Sequence, residues 1–289
     1  GPFRTDRESV EKPTWRLSID HKFSDDIMGY VSYNRGTKSG NFNTSVSTIG
    51  AQFYNPEKLD AYEIGLKSEL FDRRLRANLS LYYYDFRNLQ FLKPVLGSGI
   101  IFNGVNGASA YGGELELEAR ATQNLTLTAN VGLHHSSLRD FPDAPNPCRS
   151  NATGAVDGGG FFCDPVTGTA TTVPYNAKGN MLPGSAKFSG NAGFIWVIPS
   201  SAGDFDITGN VYHISDSPSE LDNRLKVKAY TTVNGSIGWI SSDKSLSARA
   251  WVRNLTNAYY YTVVVVSANN DSGLPAAPRQ YGITLGYRF

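Results

Sequence analysis

Two cysteines, four histidines and a run of alternating glutamates are the side chains of this sequence best equipped for chemistry. Cys148 and Cys163 are its only cysteines and sit near Pro142, Pro147 and the Gly158, Gly159, Gly160 triplet. A thiol pair offers a disulfide or half of a metal site. Structural zinc takes four ligands, and neither a histidine nor a second cysteine pair accompanies these two, so a disulfide is expected in an oxidising compartment. Closing a loop of that length would stabilise it by up to about 3 kcal/mol. His21, His134, His135 and His213 lack the H-E-x-x-H spacing, and His134 and His135 must point to opposite faces of any strand. They are expected as surface or interior polar residues, so no metal and no cofactor is anticipated. Glu114, Glu116 and Glu118 recur every second residue, which puts three carboxylates on one side of a strand. Nucleophile elbows, phosphate-binding glycine loops and catalytic Cys–His arrangements are missing, so enzymatic chemistry is not expected. The N-x-[ST] triplets at Asn78, Asn124 and Asn254 are common by chance.

The elements that would position these residues follow from periodicity. Tyr (16), Phe (15) and Gly (29) are abundant among 289 residues, a mixture suited to pleated strands and many turns. A net charge of +1, with no basic run, gives no reason to expect nucleic acid. No stretch is long and apolar enough for a membrane helix, but a membrane strand needs only about 9–11 residues, half of them polar. Leu75, Ala77, Leu79, Leu81 and Tyr83 alternate with Arg74, Arg76, Asn78, Ser80 and Tyr82. Leu125, Leu127, Ala129, Val131 and Leu133 alternate with Asn124, Thr126, Thr128, Asn130 and Gly132. The last residues put Tyr281, Ile283, Leu285, Tyr287 and Phe289 on one face. Similar stretches lie near 15–23, 27–35, 60–70, 113–118, 186–198, 204–213, 229–240 and 245–253, giving about eleven strands.

Short polar turns alternate with long loops at about 36–59, 88–110, 139–185, 214–228 and 254–279. That asymmetry predicts an all-β, antiparallel, up-and-down transmembrane barrel with tight periplasmic turns and long extracellular loops. Lipid cannot solvate charge, so the apolar set should face outward and the polar set a wet lumen. Tyr82, Tyr83, Tyr84, Trp239 and Tyr259 to Tyr261 are expected at the membrane interfaces. Exposed loop aromatics need a partner, which makes Phe53, Tyr54, Phe102, Asn103 and Tyr175 candidate ligand contacts.

Residues 252–260 (VRNLTNAYY) and 278–289 (PRQYGITLGYRF) resemble the closing hairpin of TonB-dependent outer-membrane receptors, matching at Asn254, Leu255, Asn257, Tyr260, Pro278, Arg279, Tyr281, Gly282, Tyr287 and Phe289. YVSYNRGTKSGNFN (30–43), the segment 55–90, NGASAYGGELELEA (106–119) and GNMLPGSAKFSGNAGF (179–194) are similar to further stretches of that family, in the expected order. Ser185 and Ala186 stand where Ala-Pro is commoner.

The resemblance implies a 22-stranded barrel around an N-terminal plug, in the bacterial outer membrane. Residues 1–289 would be a single partial domain, the C-terminal half of that barrel, with plug and TonB box upstream. The implied function is uptake of a scarce nutrient, first of all a ferric siderophore, driven by the TonB energy-coupling complex. Implied partners are the metal chelate, outer-membrane lipid and the barrel-assembly machinery, which would read the face of Tyr281, Ile283, Leu285, Tyr287 and Phe289. A passive porin-like channel is the first alternative, and a small membrane-barrel hydrolase the second. Half a barrel leaves two open edges, so an open, curved sheet is expected; pairing of 15–23 with 280–289 would mean closure instead.

Overall fold

The computed structural model describes residues 9, 11–42, 53–95, 98–103, 107–142, 144, 149–150, 156–157, 176–266 and 271–289. Eleven strands form one antiparallel sheet in simple sequence order. They are β1 (Trp15–Ser24), β2 (Ile27–Lys38), β3 (Glu57–Leu70), β4 (Leu75–Arg87) and β5 (Ala108–Arg120). There follow β6 (Leu125–Leu138), β7 (Phe188–Ser200), β8 (Gly203–Ile214), β9 (Tyr230–Ile240), β10 (Leu246–Arg253) and β11 (Gln280–Tyr287). Each strand pairs with its chain neighbours, and β1 and β11 are the two edges of the sheet. The sheet is therefore an open wall, the expected partial barrel. Among the described residues no helix is long and apolar enough to cross a membrane.

The connections sort by length to opposite ends. The turns after β1, β3, β5, β7 and β9 are short, while those after β2, β4, β6, β8 and β10 are long. Turn chemistry explains the short ones. Phe71, Asp72 and Arg73 take φ of 55°, 55° and 61° in succession, and Lys244 takes 62°. After β9, Asp243 accepts from the Ser241 and Ser245 hydroxyls (2.6 and 2.7 Å) and from the Ser245 amide (3.1 Å). The short turn after β7 is tighter than the sequence implies, because Pro199 still pairs with Asp204 inside the ladder.

Several strands outrun their visible alternation at the long-loop end. β4 continues to Arg87 although its period fades after Tyr83. At that height both faces carry polar side chains, so hydrophobicity no longer alternates. The long connections contain short two-stranded ribbons of their own, including Gln90–Val95 with Ser98–Asn103 and Tyr261–Val266 with Asp271–Pro275.

Burial is concentrated on one side of that end. Ala108 and Leu138, neighbours across β5 and β6, are buried with Leu89, Phe141, Ala177 and Leu221 from the long connections. Gly107 opens β5 at φ +80°, and a Cβ there would come within 1.8 Å of the Phe86 carbonyl oxygen. Only glycine lets β4 and the β5 entrance approach this closely.

Candidate functional site

Residues opposite each other in an antiparallel ladder share a face, so the register sorts every side chain. One face carries Ile19, Val31, Ile64 and Leu81 across β1 to β4. It continues through Leu115, Val131, Val211, Ile237, Ile283 and Leu285. Most of these side chains are open to the surroundings, Ile19 at 73% and Ile283 at 76% exposure, while Leu115 and Val131 are half-buried. An apolar face this large and this exposed requires an apolar solvent.

A row of aromatic side chains bounds that face. Tyr33, Tyr62, Tyr83 and Tyr111 lie side by side on β2, β3, β4 and β5. Tyr33 and Tyr62 stack at 4.9 Å between ring centres, and Tyr111 meets the His135 ring at 4.9 Å. Amphipathic rings in such a row mark the level where hydrocarbon gives way to headgroups. Tyr83 thus belongs to the girdle, whereas Tyr82 and Tyr84 point to the other face and stack on each other at 4.8 Å. Trp239, opposite Phe205 and Ala248 near the short-turn end, lies on the apolar face and donates to the Ala202 carbonyl at 3.2 Å.

The second face is predominantly polar, and its side chains pair across strands. Tyr30 donates to Glu63, and Arg76 meets Glu118 at 2.6 Å. Asn130 meets Asn191 at 3.2 Å and Asn234 meets Asn210 at 3.1 Å. Arg249 clasps Asp206 with both terminal nitrogens, at 2.8 and 2.9 Å, and donates to Ser236 at 2.7 Å. Glu114, Glu116 and Glu118 all lie on this face, where water solvates them. His134 bonds Tyr82 on the polar face at 2.7 Å, while His135 faces the opposite way, as the alternation requires. Among the described residues no group of three or more His, Cys, Asp or Glu is arranged to hold a metal.

At the long-loop end the connections are folded against this polar face. Asn223, at φ 57°, accepts from the Met181 amide (2.7 Å) and donates to the Met181 carbonyl (2.9 Å), tying the connection after β8 to that after β6. Buried Ser136 accepts from the Leu182 amide at 3.0 Å and bonds Ser185 at 2.8 Å. Both contacts fall within the 179–194 segment, which gives that stretch a physical role as a loop clasp.

The 252–260 segment is equally constrained. Asn254 and Asn257 take φ of 50° and 54°, a region that asparagine tolerates better than most residues. Asn254 is buried; its side chain accepts from the Ala258 amide (2.8 Å) and donates to the Ala258 carbonyl (2.9 Å). Asn257 accepts from the Arg279 amide at 2.9 Å, joining the two ends of the connection. Tyr260 stacks on Tyr230 at 3.8 Å and 11°.

The family model for the TonB dependent receptor-like, beta-barrel matches residues 3–255, most of the chain. The chain belongs to that family. It is a wall segment of an integral outer-membrane receptor barrel, from its C-terminal part. Its fold is similar to that of the ferric yersiniabactin uptake receptor FyuA from Yersinia pestis, with a TM-score of 0.73 and 20% identity over 95% of this chain and 37% of that one. The siderophore receptor PiuA from Acinetobacter baumannii gives 0.69 and 17%, over 95% and 35%. BauA, the ferric preacinetobactin receptor from the same species, gives 0.67 and 18%, over 95% and 36%. At these identities the likeness establishes the fold, and the receptor segment spans little more than a third of each of these proteins.

In this receptor wall the candidate ligand contacts fall into two neighbouring ribbons. Phe53 and Tyr54 pair with Phe42 and Asn41, and the Phe53 ring meets Phe42 at 5.3 Å. Phe102 and Asn103 pair with Phe91 and Gln90. Gln90 joins the two ribbons by donating to the Ser39 and Asn55 carbonyls, each at 3.1 Å. Tyr175, Cys148 and Cys163 lie outside the described residues. Tyr281, Ile283, Leu285 and Tyr287 share the apolar face of edge strand β11, and Phe289 follows it fully exposed. Sequence reading missed a set of cations at the long-loop rim: Arg35, Lys58, Arg87 and Arg139. They sit where the alternation has faded, so period alone does not point to them.

Proposed function

We propose that this wall belongs to a receptor that binds a scarce nutrient at its extracellular loops and passes it through the lumen, with a ferric siderophore as the foremost cargo. The observation that carries the reading is the segregation of the sheet into an apolar and a polar face, with every long connection at one end. Such a wall separates lipid from a wet passage and presents a loop-built mouth to one compartment. The names of the similar structures, two ferric-chelate receptors and a siderophore receptor, support the choice of cargo.

In this reading the TonB energy-coupling complex drives passage through a plug outside the residues described. The ribbons carrying Phe53, Tyr54, Phe102 and Asn103, together with Tyr175, contribute ligand contacts. Cys148 and Cys163 form a disulfide that fastens their loop. The barrel-assembly machinery reads the face of Tyr281, Ile283, Leu285, Tyr287 and Phe289, since an edge strand can add to another sheet edge.

The test is growth of a receptor-deleted strain on single ferric siderophores as iron source, with the intact gene restored. Rescue on one or more chelates, lost when TonB is inactivated, is the expected result. Rescue that persists without TonB would instead indicate a passive channel, and no rescue on any chelate would remove the cargo assignment.

A further inference from the structure

We propose that the outward rim of this wall, just above the tyrosine girdle, is a binding site for the phosphate of an outer-leaflet lipid headgroup. The register places it. Arg35, Asp60, Asp85, Ser109 and Ser137 form one continuous row on the apolar face, one step above Tyr33, Tyr62, Tyr83, Tyr111 and His135. One step higher, Lys58 lies directly opposite Arg87. These side chains therefore face the membrane at headgroup height and do not face the lumen.

The charge of this rim is unbalanced. Arg35 (2.6 Å) and Lys58 (2.9 Å) share Asp60, while Arg87 (2.9 Å) and Arg139 share Asp85. Among the described residues, four cations on two carboxylates leave an excess of two positive charges. The carboxylates are the buried members, with side chains 3% and 11% exposed, while Arg87 and Arg139 remain 57% and 37% exposed. The acids thus order the cations and the cations meet the surroundings. Beside them opens a cleft of about 630 Å³, lined by Arg87, Arg139, Ser137 and Lys178 and by the single acid Asp140. Lys178 is exposed and makes no ion pair among the described residues. A guanidinium keeps donors free after binding one carboxylate, and its planar fork suits a phosphate oxygen pair. An anionic headgroup anchored by its acyl chains against the apolar face below satisfies both surfaces at once.

The test reconstitutes the intact receptor in phosphatidylcholine nanodiscs containing a minor fraction of dioleoyl phosphatidic acid, and native mass spectrometry reads the lipid retained after detergent release. Retention of phosphatidic acid over dioleoylglycerol is expected. Lys178→Gln, which breaks no ion pair among the described residues, should lower that retention about fivefold, the effect of one cation at a membrane surface. The double variant Arg87→Gln, Arg139→Gln should lower it further. Equal retention by wild type and Lys178→Gln, with the variant shown folded by heat-modifiable gel mobility, would overturn the proposal. Full displacement by millimolar inorganic phosphate would also overturn it, by showing a site for free anions.

Discussion

Asp60 and Asp85 lie directly opposite each other across the β3–β4 ladder, two carboxylates where like charges repel. Each is bracketed by two cations, Arg35 and Lys58 for Asp60, Arg87 and Arg139 for Asp85. The Tyr33 hydroxyl also donates to Asp60 at 2.8 Å, and the Arg35 guanidinium lies over the Trp15 ring at 4.5 Å. This network ties β2, β3 and β4 and the start of the connection after β6 to the girdle.

Replacing Asp85 by Asn should therefore destabilise the rim, because Arg87 and Arg139 lose the carboxylate they share. The cost expected is about 1–3 kcal/mol, since the acid is nearly buried while its partners keep access to water. A lower temperature for the loss of heat-modifiable gel mobility would show it. An unchanged transition would mean that solvent already screens these charges.

The closing connection makes a second claim. Asn254→Ala removes two reciprocal hydrogen bonds with Ala258 and leaves a residue ill suited to φ 50°. It should cost about 1–3 kcal/mol and expose the connection to protease. Asn257→Gly should cost less than Asn257→Ala, because glycine takes the left-handed region freely. Equal effects of the two Asn257 variants would place the contribution of that asparagine elsewhere.

The eleven strands were legible because water, lipid and pleat enforce a period of two that residues such as Leu75 to Tyr83 display openly. The girdle was half legible. Tyr82, Tyr83 and Tyr84 are consecutive, and only register shows that the middle one alone faces outward. The loop clasp through Asn223 and Met181 was not legible, since it joins two connections without any shared period. The rim cations escaped for the same reason, each being an ordinary Arg or Lys until its acid partner is seen across the ladder.

A pH effect follows from the turn after β9. Hydrogen bonds from Ser241 and then from Ser245 hold the Asp243 carboxyl down to about 2, below its ordinary 3.8. A group whose folded value is depressed contributes stability above its unfolded value and loses it as pH falls through the folded value. The turn should thus be intact above about pH 4 and loosen toward pH 2. Exchange of the Ser245 amide, corrected for its intrinsic rate, should accelerate over that interval, and Asp243→Ala should abolish the pH dependence. The same acceleration in the variant would refute it.

The two faces predict unequal tolerance of charge. Leu79→Arg puts a cation into lipid, at a cost of about 2–4 kcal/mol if it lies near the bilayer centre. Ser80→Arg puts the same group on the polar face, beside Glu114 in the ladder. Membrane-assembled protein should fall sharply for the first and little for the second. Equal yields would remove the facing assignment.

The most direct measurement of that assignment is spin-label accessibility along β4 in the intact receptor within a bilayer. Labels are placed singly at Asn78, Leu79, Ser80, Leu81, Tyr82 and Tyr83, with molecular oxygen as the lipid-phase collider and a water-soluble nickel chelate as the aqueous one. The account predicts strict alternation, with oxygen favoured at Leu79, Leu81 and Tyr83 and nickel at Asn78, Ser80 and Tyr82. Uniform accessibility to both colliders, or alternation of the opposite phase, would contradict it.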